Sequence, residues 1–160
     1  MKKLIKTVLV LAVIAGLCFI IKARMEANYA VQVENELKRR APIEIPDSSI
    51  TAMQDIKDKK KPVIALFYVD WCAYCRRFMP IFGEAAKEYG NKFNFAVVHC
   101  EKPENKEIVD SFGIQGFPTL YIVDRKIDYK FTVPQSAIQD KEALEKELNK
   151  YLELRKHFKK

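Results

Sequence analysis

The stretch of sequence that decides the fold is FYVDWCAYCRRFMPIF at residues 67–82. It contains the end of a continuous apolar run at residues 63–69, a pattern typical of a β-strand that is buried on both faces. Over residues 72–89 the apolar side chains recur every three or four positions, which predicts a helix with one buried face. Cys72 and Cys75 therefore lie where a buried strand turns into a helix.

The spacing of these two cysteines indicates redox chemistry. Residues three apart on a helix share a face, so Cys72 and Cys75 are close enough to form a disulfide. Cys72 falls at the helix N-terminus, where unpaired N–H groups and the helix dipole stabilise a thiolate. Cys75 lies one turn deeper. We therefore expect an exposed Cys72 to attack a client disulfide, and a more buried Cys75 to resolve the mixed disulfide that results.

The rest of the globular part alternates between helical and extended patterns. The predicted elements are a short helix at residues 50–56, a second buried strand at 93–100, a helix at 104–112, strands at 120–123 and 129–133, and a closing amphipathic helix at 141–158. This order predicts an α/β fold with a mixed central β-sheet flanked by helices. A right-handed crossover makes the second strand parallel to the first, so Cys100 should lie at the active-site end of the sheet.

Residues 67–82 resemble the active-site region of thioredoxin-like proteins. Three features beyond the CxxC motif support this resemblance: Trp71 before the first cysteine, Pro80 five residues after the second, and the motif GFPT at residues 116–119. The resemblance covers about residues 45–155 and implies a thioredoxin-like fold. In the family, the proline matching Pro118 is cis, and the residue before it pairs with the substrate backbone. The resemblance therefore implies a substrate-binding role for Trp71, Phe117 and Pro118.

The chain also departs from the family pattern. Thioredoxins carry a buried acid six residues before the first cysteine and a lysine on the next strand facing it. Here Leu66 and Val97 stand at those positions. Cys75 must therefore lose its proton by another route, such as water. The dipeptide between the cysteines is Ala73-Tyr74 rather than the Gly-Pro of cytosolic reductants, which leaves the direction of the redox reaction open.

The N-terminus predicts a membrane anchor or a signal peptide. Three lysines precede an unbroken apolar run at residues 8–21, and further charges follow it at once. With Thr7 the run is about 22 Å long as a helix, short for a hydrocarbon core of about 30 Å, but neighbouring apolar residues extend it to residues 4–21. We favour an uncleaved anchor, because the sequence offers no clean small-x-small cleavage site. The larger positive charge before the run keeps the N-terminus inside the cell.

The chain is predicted to divide into three parts: a signal anchor or signal peptide at residues 1–24, a helical juxtamembrane spacer at 25–41, and the thioredoxin-like domain at 42–160. The net charge of +7 is concentrated before the domain. Residues 1–40 hold eight Lys or Arg against three acids, and residues 41–160 hold twenty against eighteen. Since the globular part is nearly balanced, we expect no nucleic acid partner.

His99 and Cys100 are residue types that could complete a zinc site with Cys72 and Cys75, but adjacent residues at a strand end project to opposite faces of the sheet. We therefore expect no metal. Nor do we expect an organic cofactor, because the cysteine pair itself carries the electrons. Cys100 is interpreted as a buried structural thiol, with a third exchanging thiol as the alternative.

These observations predict an extracytoplasmic thiol:disulfide oxidoreductase that acts on client proteins with thiols or disulfides. It would lie in the cell inner membrane as a single-pass protein, with its domain facing the periplasm or the cell exterior and access to a membrane redox partner. Two other functions fit the sequence. One is a dedicated reductant for cytochrome c maturation, and the other is a non-catalytic thioredoxin-like binding module or chaperone.

Overall fold

A computed structural model describes residues 2–158 of the chain, except for the side chains of residues 2–4 and 10. The chain forms two compact units that divide between Arg40 and Ala41. The first unit is a single helix, α1, at Lys2–Arg40. It contains an 18-residue window with a mean hydropathy of 2.3, so by length and composition it can cross a membrane. A cleaved signal sequence shares these properties with a signal anchor.

Every described side chain between residues 5 and 21 is exposed. A helix that is apolar on all sides needs an apolar surrounding, because in water its side chains would gain nothing from folding. The second half of α1 is polar and carries ion pairs one helical turn apart, such as Glu34 with Lys38 at 2.6 Å and Glu36 with Arg40 at 2.7 Å. Such pairs support a helix that is solvated on all sides.

The second unit is built on a five-stranded sheet. Its strands are β1 at Thr51–Ala52, β2 at Val63–Tyr68, β3 at Asn94–His99, β4 at Thr119–Asp124 and β5 at Tyr129–Thr132. They are ordered β1-β3-β2-β4-β5, with β1, β3 and β2 parallel and with β4 and β5 antiparallel to their neighbours. The predicted mixed central sheet is therefore confirmed.

Three helices cover this sheet: α2 at Ala73–Tyr89, α3 at Lys106–Phe112 and α4 at Lys141–His157. All six side chains of β2 are buried, and they alternate between two cores. Ile64, Leu66 and Tyr68 pack in the core that α2 and α4 cover. Val63, Ala65 and Phe67 pack in the smaller core that α3 covers. The central strand therefore ends between two packed layers, which fixes the position of the residues that follow it.

The predicted helix at residues 50–56 is wrong. Thr51 and Ala52 instead form β1 and pair with Ala96 and Val97 of β3, and only Met53–Asp55 make a short 3₁₀ turn. Pairing with β1 satisfies backbone N–H and C=O groups along the free edge of β3, which a local helix would leave unpaired.

Candidate redox site

The two cysteines lie at the junction of β2 and α2, as predicted. The backbone N–H of Cys72 donates to the carbonyl of Val69 at 3.2 Å, which turns the chain out of the strand. Cys72 is the N-cap residue of α2, and its Sγ accepts the N–H of Cys75 at 3.1 Å. The two side chains form a disulfide across Cα atoms that are 5.2 Å apart. Reduction would leave the Cys72 sulfur at the positive end of the helix, where a thiolate is stabilised.

Burial separates the two cysteines less than the sequence led us to expect. Cys75 is completely buried, but Cys72 is only 5% exposed, so the expected exposure of Cys72 is not found in the disulfide form. The flanking aromatic residues Trp71 and Tyr74 are 50% and 67% exposed. A client that approaches the disulfide therefore meets these two rings first.

The residues predicted to bind substrate come from two segments, Trp71 next to Cys72 and Phe117-Pro118 before β4. The Trp71 and Phe117 rings meet edge to face with centroids 6.0 Å apart. The peptide bond between Phe117 and Pro118 is cis, as the family resemblance implied. Pro118 is buried and lines a pocket together with Tyr74 and Phe78. Phe117 thus contacts Trp71, and Pro118 shares a pocket with Tyr74, the two exposed aromatic residues that flank the cysteines. The role of Trp71, Phe117 and Pro118 in binding a client stays a prediction.

Leu66 and Val97 are partners in the register of β2 and β3. Leu66 is fully buried, and Val97 packs against the same core. The position where the family places an acid facing a lysine is therefore occupied by two apolar side chains in contact with the core. Nothing at position 66 can accept the proton of Cys75.

A polar pair that the sequence did not predict, Asp70 and His99, lies nearer than Leu66 and Val97 to the carboxyl ends of β2 and β3. Nε2 of His99, the last residue of β3, is 2.9 Å from Oδ2 of Asp70. The other oxygen of Asp70 accepts the N–H of Ile43 at 2.9 Å. Nδ1 of His99 is buried and has no hydrogen-bond partner among residues 2–158. A proton there would be an unsatisfied donor, so the arrangement favours the imidazole tautomer that donates from Nε2 to Asp70.

The surroundings of Asp70 favour its ionised form. Partial burial raises the pKa of the carboxyl, but hydrogen bonds from Ile43 and His99 outweigh burial and hold the pKa below its ordinary value of 3.8. The sequence does contain a signal for this pair. Asp70 follows β2 and His99 ends the adjacent parallel strand, and the carboxyl ends of parallel strands meet at one edge of a sheet.

Further contacts fix the loop that carries the cysteines. The Arg76 guanidinium donates to the carbonyl of Asp70 at 2.6 Å and to the carbonyl of Ala41. The indole N–H of Trp71 donates to Oε1 of Glu101 at 2.8 Å. These contacts join the start of the domain and the end of β3 to the residues on either side of Cys72.

Cys100 lies at the same edge of the sheet, since Tyr68 and His99 are partners in the parallel register. Burial raises the pKa of its thiol to about 11, so the group is protonated at neutral pH. Its Sγ–H donates a weak hydrogen bond to the carbonyl of Val98 at 3.6 Å. Within residues 2–158, no group of three or more His, Cys, Asp or Glu side chains is arranged to hold a metal ion.

A mixed sheet, a cysteine pair at a helix N-terminus and a cis-proline that shares a pocket with Tyr74 of the CxxC motif together define a thioredoxin-like protein. Residues 48–150 match the family model for thioredoxin, and the chain belongs to this family. Among curated relatives, protein disulfide-isomerase 1 of Dictyostelium discoideum is 32% identical over 85 residues, covering 51% of this chain and 23% of the relative. The chloroplastic thioredoxin-like protein HCF164 of Arabidopsis thaliana is 28% identical, covering 52% of this chain and 33% of the relative. The chain thus spans a third or less of the length of these relatives.

Solved structures show the same fold. The Trx4 domain of ERdj5 superposes with a TM-score of 0.55 at 21% identity, covering 68% of this chain and 99% of that domain. A thioredoxin-like protein from Clostridium perfringens superposes with a TM-score of 0.53 at 21% identity, covering 64% of this chain and 79% of that protein. At this level of identity, the similarity concerns the fold alone.

Proposed function

We propose that this chain is a membrane-tethered, extracytoplasmic thiol:disulfide oxidoreductase that exchanges disulfides with client proteins. The observation that carries the proposal is the disulfide between an N-cap cysteine, Cys72, and a completely buried cysteine, Cys75, in a thioredoxin fold. The curated relatives named as disulfide isomerases support the same chemistry. The apolar helix α1 supports the tether.

The proposed reaction transfers two electrons. In the reducing direction, the Cys72 thiolate attacks one sulfur of a client disulfide, and the other client sulfur leaves as a thiolate that takes up a proton. Cys75 then loses its proton and attacks the Cys72 sulfur of the mixed disulfide. The enzyme disulfide forms, and the client leaves as a dithiol. The reverse sequence oxidises a client dithiol. Because Cys72 caps α2, the helix stabilises its thiolate both as the attacking group and as the leaving group.

The activity is tested by reduction of insulin with dithiothreitol, using the full chain in detergent. We expect the wild type to accelerate precipitation of the insulin B chain. The variant with both Cys72→Ala and Cys75→Ala should show only the uncatalysed rate. The matched control Cys100→Ala should behave as the wild type. A wild type without acceleration would contradict the proposal and favour the non-catalytic binding module.

The direction of exchange follows from the reduction potential, measured by equilibration with glutathione. A potential near about −270 mV, the value of thioredoxin, would indicate a reductant. A dedicated reductant for cytochrome c maturation would belong to this group. A value near the roughly −180 mV of protein disulfide isomerase would instead indicate an isomerase or an oxidant.

A further inference from the structure

The proposed exchange does not by itself use a pocket of about 530 Å³ that lies beside the start of α2 and is lined by Tyr74 of the CxxC motif. Phe78, Ile81 and Ile138 form an apolar part of its lining, and the exposed Gln135 and Gln139 add two amide groups. Two exposed side chains of α2, Tyr74 and Arg77, also line it. Phe117 and Pro118 border the same space. We call this space the Arg77 pocket. Its position between the CxxC motif and the cis-proline means that residues flanking a client's reactive sulfur would enter it.

The charge of this pocket comes from Arg77 alone among the lining residues that the structure describes. Its guanidinium carbon lies over the Tyr74 ring, 4.7 Å from the centroid. Within residues 2–158, Arg77 forms no ion pair, whereas Arg155 is bound to Asp124 at 2.6 Å. A guanidinium that lies over a ring without an ion-pair partner can still donate its N–H groups to an incoming acceptor, and a carboxylate matches their fork in two hydrogen bonds.

A negative charge lies next to Trp71, the residue that precedes Cys72. There the carboxylate of Glu101, an exposed residue, accepts the indole N–H of Trp71. Two charged side chains therefore contact the aromatic residues of the motif: Arg77 lies over Tyr74, and Glu101 accepts from Trp71. A client carboxylate is attracted by Arg77 and repelled by Glu101.

We propose that the Arg77 pocket selects client segments in which a glutamate or aspartate lies within two residues of the reactive cysteine. The apolar part of the lining contacts the aliphatic stem of that residue or a neighbouring side chain, and Arg77 binds its carboxylate. This inference rests on the proposed oxidoreductase function and adds the chemical class of the client.

The test uses peptide pairs joined by one disulfide, with a fluorophore on one peptide and a quencher on the other. The fluorophore peptide carries Glu, Gln or Lys one or two positions from its cysteine. The full chain in detergent, reduced beforehand, supplies the two electrons in a single turnover. The readout is the ratio of the second-order rate constants for the Glu and Lys peptides. A ratio is used because it cancels any change in the reactivity of Cys72 itself.

We expect the wild type to reduce the Glu peptide about fivefold faster than the Lys peptide, as suits a partly exposed charge-assisted contact. High salt should reduce this preference. The ratio should fall to near one in Arg77→Gln and should reverse in Arg77→Glu. Arg125→Glu, a charge reversal in the β4–β5 turn outside the pocket, should keep the wild-type ratio.

Two outcomes would overturn the inference, and only the second would also overturn the proposed oxidoreductase function. Normal reduction of the Gln peptide with a ratio that neither Arg77 variant changes would overturn only the charge selection. Failure of the wild type to reduce even the Gln peptide would overturn the proposed oxidoreductase function and, with it, this inference.

Discussion

Nε2 of His99 lies 2.9 Å from Oδ2 of Asp70, which joins the end of β3 to the residue two positions before Cys72. The carbonyl of His99 also accepts the side-chain N–H of Asn105 at 2.9 Å, so the strand end is fixed from both sides. Leu66 and Val97, deeper in the sheet, are both apolar. The Asp70–His99 pair is therefore a polar contact at the edge of the sheet from which the chain continues to the cysteines. The ionised Asp70 carboxylate thus connects β3 to the loop that carries the two cysteines.

The first prediction concerns the stability that Asp70 provides. Its pKa in the folded protein lies below 3.8, so its contribution is fully present above that pH and is lost as the pH falls through the folded pKa. Asp70→Asn keeps the shape but removes the charge, and should lower the free energy of unfolding at pH 7 by about 1–2 kcal/mol. Urea unfolding of the oxidised protein, followed by the fluorescence of Trp71, measures this change.

The difference between Asp70→Asn and the wild type should begin to shrink below pH 3.8 and should vanish as the pH falls through the lower pKa of the folded wild-type carboxyl, which then also becomes neutral. Asp110→Asn is the matched control, since Asp110 pairs with Lys106 at 2.6 Å on the exposed surface of α3. That variant should leave the urea midpoint nearly unchanged. Equal decreases in the free energy of unfolding in both variants would show that the Asp70–His99 contact stabilises the protein no more than an exposed ion pair does.

The second prediction concerns the division of labour between the cysteines. Cys75→Ala should leave clients covalently bound to Cys72, because the resolving thiol is gone. Cys72→Ala should abolish both turnover and trapping, since Cys75 is completely buried. Non-reducing gels of full-length variants incubated with oxidised client count the trapped complexes. Similar amounts from the two variants would refute the assignment of Cys72 as the attacking thiol.

The third prediction concerns the apolar pair beneath the site. Leu66→Asp restores the family's acid, but without a lysine opposite, and should destabilise the fold by about 3 kcal/mol or more at pH 7. Burial should raise the pKa of this new carboxyl, so the destabilisation should be smaller at low pH, where the group is neutral. The same carboxyl should change the pH dependence of insulin reduction. Leu66→Asn is the control, because it adds polarity without a titrating charge. Identical pH profiles for both variants would remove position 66 from the proton pathway.

The fourth prediction concerns Cys100. With a pKa of about 11, its thiolate fraction at pH 7 is about 10⁻⁴, and the residue is half-buried. Iodoacetamide should therefore leave Cys100 unlabelled in the folded oxidised protein and label it fully in urea, as measured by peptide mass spectrometry. Rapid labelling without urea would instead favour a third thiol able to exchange with the pair.

The fifth prediction concerns the N-terminus. If residues 4–21 form an uncleaved anchor, the protein should keep its original N-terminus and stay in the membrane fraction after washing with alkaline carbonate. N-terminal sequencing and immunoblotting of both fractions test this. A shorter soluble form that begins near residue 31 would establish a cleaved signal peptide instead.

The elements nearest the cysteines could be predicted from the sequence for a physical reason. Residues 63–69 are apolar without interruption because β2 is buried on both faces, and the pattern of α2 repeats because one face packs on the sheet. Both signals are local. The expected hairpin of β4 and β5 and the cis bond before Pro118 also agree with the structure.

What could not be predicted depends on contacts between distant residues. Thr51 and Ala52 become a strand because β3 offers an edge 45 positions further along, and no local pattern records that edge. Asp70 and His99 are 29 positions apart, and their contact depends on the register between β2 and β3. Arg77 looks like an ordinary surface charge until the neighbouring Phe117 and Ile138 are placed around the same pocket.

The hydrogen bonds from Arg76 to the carbonyl of Ala41, and from the N–H of Ile43 to Asp70, determine where a water-soluble form of the domain should begin. A recombinant protein that starts at residue 45, where the family resemblance begins, would lack both partners. Asp70 would lose the N–H of Ile43 as a hydrogen-bond donor. Arg76, in the first turn of α2, would lose its hydrogen bond to the carbonyl of Ala41. Removing helix α1 while keeping residues 41–43 preserves the backbone that contacts the redox loop.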